Sequence, residues 1–221
     1  MPRKEESRMD QREYWDQVAE QKEFTTPFQL DAFSKYVERG ATVLDVGCGY
    51  GRTLNFLRQN GYRQLAGIDF SAALIARGRR LFPELDLRVM TSATFDIPDA
   101  SQDAVILLAV LTCIARDEDQ TALVSEIERV LKPGGILYIN DFLINTDERN
   151  QQRYKASPAG YPYGVFELPE GGLFRHQSEK HIRCLCRAFH PLIWETCRYT
   201  TMNGHQSNGF CLIGRKEKMN G

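Results

Sequence analysis

Apolar and polar positions alternate along the middle of the chain with two periods, one typical of strands and one typical of helices. Short apolar runs predict strands over 41–46, 64–69, 85–90, 104–111 and 136–140. Between them, apolar residues recur three or four positions apart, the spacing of one helix face. This spacing predicts helices over 51–60, 71–81 and 118–131.

Strands that alternate with helices predict an α/β fold with a mostly parallel sheet, helices on both faces and right-handed crossovers. The uninterrupted apolar run 104–111 is typical of a strand buried on both faces. Towards the C-terminus the pattern changes to a helix over 178–189 and two closing strands over 193–200 and 210–214, joined by a turn.

Two regions lie outside this alternation. Residues 1–38 are predicted to form an N-terminal helical segment, with helices over 11–22 and 28–38, ahead of a domain that spans 39–221. Residues 143–175 show no clear periodicity, and loops of this length are usually functional or mobile. Both contain aromatic residues that either pack in the core or contact a ligand, namely Tyr14, Trp15, Phe24, Tyr161 and Phe166.

The charge balance limits the classes of partner. The 221 residues carry 28 Lys and Arg against 29 Asp and Glu, which argues against binding to nucleic acid through bulk charge. The basic cluster 77–80 is interpreted as a solvated helix face, with an RNA backbone contact as the alternative. Because no apolar run is long enough for a membrane span and the charged residues 1–6 lead into no apolar stretch of the signal-peptide kind, we expect a cytoplasmic protein with no membrane partner.

The six cysteines lack the spacing of a metal site. No C-x-x-C pair is present, and Cys184 and Cys186 would point to different faces of a predicted helix. We predict unpaired thiols and no metal.

The sharpest chemical signal is the segment 43–51, VLDVGCGYG, where a predicted strand runs into glycines and then into a helix. Glycines let a ligand approach the backbone, and the helix N-terminus offers free N–H groups. Asp69 ends the next predicted strand, where a carboxylate can bind the two hydroxyls of a ribose. Since Asp45 would repel phosphates, the motif favours a nucleoside cofactor with a cationic centre.

On these residues the chain resembles class I S-adenosylmethionine-dependent methyltransferases. The segment 45–51 is similar to the family's first motif, 67–71 to its ribose-binding strand end, and 131–135 to the loop before its fifth strand. The resemblance covers roughly 36–141. It implies a Rossmann-like, seven-stranded, mostly parallel sheet of order 3-2-1-4-5-7-6 with strand 7 antiparallel. It also implies S-adenosylmethionine as cofactor and S-adenosylhomocysteine as product.

The resemblance also implies which residues bind the cofactor. Asp69 would hold the ribose, Phe70 would pack on the adenine, and Leu108 would lie under the methionine part. The full implied set is Asp45, Gly47, Cys48, Gly49, Asp69, Phe70, Ala93, Thr94, Phe95 and Leu108. Many family members carry an acidic residue near 92 or 93 and a histidine at 113, where this chain has Ser92-Ala93 and Cys113.

The resemblance places the N-terminal segment and residues 143–175 beside the transferred methyl group. We therefore expect both to act as lid regions, with the five aromatic residues as candidate substrate contacts. Methyl transfer needs alignment, exclusion of water and, for a nucleophile that carries a proton, a base. His176 is the first candidate base and His205 the second, because histidine titrates near neutral pH and both border the expected lid. Asp141 is the third, although a loop-capping role explains it equally well.

A small-molecule acceptor is favoured by the near-neutral charge and the aromatic lid regions. The alternatives are a methyltransferase acting on RNA or protein, and a non-catalytic module that binds the cofactor to support a partner. The sequence leaves open the nucleophilic atom and the choice between monomer and homodimer.

Overall fold

A seven-stranded sheet forms the centre of the computed structural model, which describes residues 10–217. Residues 1–9 of the predicted N-terminal segment therefore lie outside the described part of the chain. The strands of the sheet are β1 (Thr42–Val46), β2 (Gln64–Asp69), β3 (Asp86–Val89), β4 (Gln102–Leu108), β5 (Leu131–Phe142), β8 (Phe189–Thr200) and β9 (Gln206–Lys216). Two short strands, β6 (Val165–Glu167) and β7 (Leu173–Arg175), form a separate hairpin.

The helices lie between these strands and at the N-terminus. They are α1 (Gln11–Val18), α2 (Leu30–Phe33), α3 (Arg52–Gln59), α4 (Ala72–Leu81), α5 (Asp117–Val130), α6 (Glu148–Lys155) and α7 (Glu179–Leu185), with a 3-10 turn at Leu111–Cys113. Ser71 and Ser178 cap α4 and α7 by accepting N–H bonds from Leu74 and His181, as their N-cap positions predict.

The strand order is β3-β2-β1-β4-β5-β9-β8. Strands β1 to β5 pair in parallel, and β9 is antiparallel to both β5 and β8. The predicted mostly parallel, seven-stranded sheet is confirmed. The chain-order numbering differs from 3-2-1-4-5-7-6 because the insertion at 143–175 contributes two strands that were not predicted.

The insertion has more regular structure than its sequence pattern indicates. It contains α6 and the β6–β7 hairpin. Strands of three residues are too short to show a two-residue period, and α6 is so polar that only Asn150 and Tyr154 of its eight residues are buried. The expectation of a long stretch without secondary structure is therefore wrong.

The two faces of the sheet carry separate apolar cores. Leu44 and Val105 pack with Ile127 of α5 on one face. Phe33 and Tyr62 pack with Tyr138 on the other. All six side chains are fully buried. Each therefore contributes on the order of 1.5–3 kcal/mol of burial free energy. This packing holds the ends of the parallel strands, and the loops that follow them, in place.

The N-terminal helices are shorter than predicted. Helix α1 ends at Val18, whose carbonyl accepts N–H bonds from both Gln21 and Lys22 at 3.0 Å, and this tight turn stops the helix before residue 22. Helix α2 covers only Leu30–Phe33 of the predicted 28–38, and a turn follows.

The basic cluster 77–80 is not a uniformly solvated face. Arg77 is 8% exposed and donates to the carbonyls of Ala19 and Lys22, both at 2.8 Å. Arg79 donates to the carbonyl of Leu87, and Arg80 pairs with Glu20 at 2.6 Å. Arg77 therefore anchors the N-terminal segment to α4. The sequence, which shows only a cluster of basic residues on a helix, does not indicate this role.

All six cysteines lie within the described residues and are free. Cys184 in α7 is exposed, and Cys186 at the end of this helix is buried. Between residues 10 and 217, no helix combines the length and the apolar character that crossing a bilayer requires.

Candidate functional site

A deep cavity opens at the carboxyl ends of β1, β2 and β4. Its volume is about 1350 Å³ when the space at its mouth is included. The glycine loop after β1 and the ends of β2 and β4 form one end. The N-terminal segment, the insertion and the β8–β9 turn form the other. Ligands of parallel α/β sheets bind at this edge, because the loops that follow the strands diverge there.

The glycine loop has a backbone that other residues adopt only with strain. Gly47, Gly49 and Gly51 have φ values of +70°, +55° and +82°. The N–H groups of Gly47 and Cys48 both donate to the carbonyl of Ile68, at 2.8 and 3.1 Å, which ties the loop to β2. A side chain at Gly49 would also overlap the ring of Phe24. Both the loop conformation and the close approach of neighbouring atoms therefore require glycine.

Asp69 organises this end of the cavity. Its Oδ2 accepts the N–H of Gly49 and its Oδ1 accepts the N–H of Ser71, both at 2.8 Å. Each carboxylate oxygen keeps a further lone pair for a ligand. Burial raises the pKa of Asp69 to about 6, although the bonds from Ser71 and Gly49 lower it. The side chain is therefore mostly ionised above that pH.

Asp45 lies at the end of β1 with 2% of its surface exposed. Burial, and then the charge of Asp69, raise its pKa to about 8, while Arg52 lowers it. The free protein thus holds Asp45 mostly protonated at neutral pH. A cationic ligand beside it would favour the ionised form, because opposite charges attract most strongly where water is excluded.

Several known proteins are similar to this chain. Residues 44–139 match the family described as "Methyltransferase domain". The chain is 36% identical over 110 residues, 50% of its length, to a probable S-adenosylmethionine-dependent methyltransferase of Mycolicibacterium smegmatis, and it spans only 39% of that protein. It is 30% identical over 175 residues to a ubiquinone biosynthesis O-methyltransferase of Xylella fastidiosa, covering 77% of this chain and 68% of that one.

The chain belongs to the class I S-adenosylmethionine-dependent methyltransferases. A solved methyltransferase of this kind from Methanosarcina mazei has a TM-score of 0.79 and 25% identity, covering 85% of this chain and 97% of its own. The family's cofactor is S-adenosylmethionine.

The residues of the methyltransferase cavity suit this cofactor. Asp69 has lone pairs that can accept bonds from the two ribose hydroxyls, and both it and the glycine loop line the cavity. Asp45 supplies a carboxyl group whose ionised form a nearby positive group would favour. The buried hydroxyl of Tyr14 also lines the cavity and has no hydrogen-bond partner among residues 10–217, so a polar group of a ligand can meet it.

Most of the predicted cofactor-binding residues meet in this cavity, but three do not. Those that line it are Asp45, Gly47, Cys48, Gly49, Asp69, Phe70 and Leu108. Ala93 and Thr94 lie on an exposed loop after β3, and Phe95 is 4% exposed in the core below α5. This loop is tied to α5, since the N–H of Phe95 donates to Glu126 at 2.9 Å. The structure therefore does not bring 93–95 to the cavity.

Four of the five predicted substrate-contacting aromatic residues line the cavity, namely Tyr14, Trp15, Phe24 and Phe166. Tyr161 does not, and its ring instead packs under the guanidinium of Arg116 at 4.9 Å. Aromatic residues near a lid are equally suited to surface packing, and only the tertiary contacts distinguish the two.

His176 is buried in a polar network instead of titrating near neutral pH. Its Nδ1 lies 2.6 Å from the hydroxyl of Tyr154 and 3.2 Å from the side-chain nitrogen of Asn145. Burial, and then the charges of Arg153 and Arg149, lower its pKa to about 3. Burial and the positive charge of the two arginines therefore oppose the protonation that the expected base role requires near neutral pH.

The other two candidate bases differ in position. Asp141 is 0% exposed and accepts the N–H groups of Phe142 at 2.7 Å and Thr112 at 3.2 Å. It caps the loop after β4 and does not line the cavity, and burial raises its pKa to about 7. Of the two interpretations of Asp141, loop capping is therefore the one that the geometry supports. His205 is exposed in the β8–β9 turn at the mouth of the cavity.

Sequence reasoning missed several polar residues of the cavity. Arg52 follows the glycine loop, and Arg149, Asn150 and Arg153 come from α6. The four-residue spacing of Arg149 and Arg153 places them on one face only if the segment is helical. Because α6 has almost no apolar face, its sequence does not indicate that helix.

Asp45→Asn should remove a pH-dependent destabilisation of the free protein. The folded-state pKa of Asp45, about 8, lies above the ordinary aspartate value near 4. Its contribution to stability is therefore complete below pH 4 and falls as the pH rises towards 8, by about 1.4 kcal/mol per unit. Asparagine cannot ionise. The substituted protein should therefore have a larger free energy of unfolding than the wild type at pH 9, and this difference should be smaller at pH 5.

The measurement is the free energy of unfolding by urea at pH 5, 7 and 9. Asp86→Asn, at an exposed residue of β3, is the matched control and should leave the pH dependence unchanged. Parallel pH profiles for wild type and Asp45→Asn would show that Asp45 ionises as an ordinary aspartate.

Proposed function

We propose that this methyltransferase transfers a methyl group to a nucleophilic atom of a small-molecule acceptor. The observation that carries the proposal is the cover over the cavity. Helix α1 packs on the β6–β7 hairpin, with ring centroids of Tyr14 and Phe174 5.6 Å apart. The side chain of Gln11 bonds both the carbonyl and the N–H of Leu173, at 2.7 and 3.1 Å. A cavity covered in this way has room for a small acceptor beside the cofactor.

S-adenosylmethionine supplies an activated methyl group on a sulfonium. The chain's contribution is then to hold the acceptor in line, to exclude water and to stabilise the reacting geometry. Trp15, Phe24 and Phe174 form the apolar wall that excludes water, and their mutual edge-on contacts keep that wall in place. The N-terminal segment and the insertion act in this proposal as lid regions, which open for entry and close over the acceptor.

The alternative of an RNA acceptor has less support. Its main sequence feature was the basic cluster 77–80, and three arginines of that cluster bond groups of this chain. The ubiquinone biosynthesis O-methyltransferase of Xylella fastidiosa is by its name an enzyme of small-molecule metabolism, and its similarity over 77% of this chain favours an acceptor of that size.

A direct assay tests the proposal. Purified protein is incubated with S-adenosylmethionine and a panel of phenol, thiol, amine and carboxylate acceptors, and release of S-adenosylhomocysteine is measured. We expect turnover with at least one small acceptor and none with Asp69→Ala at the same cofactor concentration. Turnover with transfer RNA or a protein substrate, in the absence of turnover with any small acceptor, would contradict the proposal.

A further inference from the structure

The part of the cavity wall that the insertion contributes carries two arginines. Arg149 and Arg153 lie one turn apart on α6, and both line the cavity. The guanidinium of Arg153 stacks 4.6 Å from the ring centre of Phe166, which fixes its position.

The neighbouring carboxylates do not neutralise these arginines directly. Asp147 caps α6, accepting bonds from the N–H and the side-chain nitrogen of Asn150 at 3.1 and 2.7 Å. Glu170 lies 3.6 Å from the ammonium of Lys22. In the part of the chain between 10 and 217, neither Arg149 nor Arg153 has a carboxylate within ion-pair distance. Two adjacent cations that face a cavity without a counter-ion are suited to an anionic ligand.

Asn150, between the two arginines, adds an independent observation. It is 2% exposed and lines the same cavity. Because its side-chain nitrogen donates to Asp147, the orientation of its amide is determined, and its Oδ1 is left without a hydrogen-bond partner among the described residues. A buried acceptor atom without a partner costs about 1–3 kcal/mol, so a hydrogen-bond donor on a ligand would be stabilised here.

The network around His176 determines which ring nitrogen carries the proton. The Oδ1 of Asn145 accepts the N–H of Asn208 at 2.8 Å, so the side-chain nitrogen of Asn145 faces the histidine as a donor. The hydroxyl of Tyr154 accepts the N–H of Asn145 at 3.1 Å and donates to the ring. Nδ1 therefore accepts the bond from Tyr154, and the neutral ring carries its proton on Nε2. The two hydrogens of the Asn145 side-chain nitrogen have shorter partners in the carbonyl of Leu143 and the hydroxyl of Ser207, both at 2.9 Å. His176 is a hydrogen-bond donor in the wall of the cavity.

We propose that the acceptor is a small anionic molecule whose carboxylate or phosphate binds Arg149 and Arg153, with the Nε2–H of His176 as an additional donor. This inference rests on the proposed small-molecule methyl transfer and names the chemical class of its acceptor. It also replaces the expected base by a positioning residue. Arg52, which follows the glycine loop and acts on Asp45, is the cation at the cofactor end, so the arginines of α6 remain available to the acceptor.

Three small probes test the inference. Benzoate, phenyl phosphate and the neutral isostere benzamide are titrated into the protein with and without S-adenosylhomocysteine, and their dissociation constants are measured by ligand-observed NMR. We expect one or both anions to bind at least about tenfold more tightly than benzamide. The benzoate and phenyl phosphate arms distinguish a carboxylate site from a phosphate site.

Substitutions on α6 locate the anion. Arg149→Gln and Arg153→Gln should each weaken binding of the preferred anion about tenfold and leave benzamide unchanged. Lys155→Gln, which removes the same charge from an exposed residue of the same helix, is the matched control and should have no effect. Arg153→Lys keeps the positive charge and should retain part of the preference for the anion over benzamide. Such retention would show that the loss in Arg153→Gln does not come from misfolding.

A histidine ¹⁵N spectrum should show Nε2 of His176 protonated across neutral pH.

The outcomes separate the inference from the proposed function. Three results would each overturn the inference. The first is equal binding of all three probes, and the second is no saturable binding of either anion. The third is that the arginine substitutions weaken the binding of S-adenosylhomocysteine instead of the binding of the anion. A proton on Nδ1 of His176 would remove that residue from the site. Failure of S-adenosylhomocysteine to bind would contradict the proposed function, while the titrations without it would still decide whether an anion site exists.

Discussion

Asp69→Ala is expected to weaken binding of S-adenosylhomocysteine about 30- to 1000-fold. A charged carboxylate that accepts bonds from both ribose hydroxyls contributes about 2–4 kcal/mol to binding, because hydrogen bonds to ionised groups are the stronger kind. Asp69 also accepts the N–H of Gly49 and of Ser71, so alanine removes part of the order of the glycine loop as well. Calorimetry at pH 8, where burial still leaves Asp69 ionised, measures the affinity.

Two companion variants separate these effects. Asp69→Asn keeps one acceptor oxygen and the shape of the side chain, so its loss of affinity should lie between wild type and alanine. Asp86→Ala, on the neighbouring strand β3, removes an exposed carboxylate and should leave the affinity unchanged. Unchanged affinity in Asp69→Ala would rule out the ribose-binding role and with it the position of the cofactor.

Gly49→Ala is expected to destabilise the protein by about 2–5 kcal/mol and to weaken cofactor binding about tenfold or more. A non-glycine residue in the left-handed region costs roughly 1–2 kcal/mol, and Gly49 has a φ of +55°. Its new methyl group would overlap the ring of Phe24, and overpacking adds about 1–3 kcal/mol. Phe24 would have to leave its stack on Tyr50, where the ring centroids are 4.9 Å apart.

Gly160→Ala is the matched control for the backbone strain alone. Gly160 has a φ of +85°, and nothing lies within 4 Å of the position of its added methyl group. Its loss of stability by urea unfolding should therefore be about 1 kcal/mol, with cofactor affinity unchanged. The excess in Gly49→Ala measures the contact with Phe24.

A double-mutant cycle tests that assignment. If the overlap with Phe24 causes the excess, Phe24→Ala should relieve it, so that the double substitution costs less than the sum of the two single ones by about 1 kcal/mol or more. Additive losses would mean that the damage lies in the backbone of the loop and not in its contact with the N-terminal segment.

The chain by itself determined the central sheet and one end of the cavity. Short apolar runs and helical spacing predicted strands β1 to β5 and the helices between them, because both patterns follow from short-range geometry. The glycine loop and Asp69 were also recognisable in the sequence, because each lies in a short stretch at the end of a predicted strand. The resemblance to methyltransferases added the antiparallel orientation of one closing strand.

Only the tertiary structure decided which side chains of the insertion reach the cavity. The three-residue strands β6 and β7 are too short to show a period, and the polar helix α6 has almost no apolar face, so neither was predictable from its own residues. The state of His176 depends on Tyr154, Asn145 and Asn208, which approach it from distant parts of the chain. Burial beside two arginines lowers its pKa to about 3, and no sequence pattern encodes that environment. Local periodicity therefore determined the scaffold and the glycine loop, whereas long-range packing and desolvation determined the chemistry of the side chains that the insertion brings to the cavity.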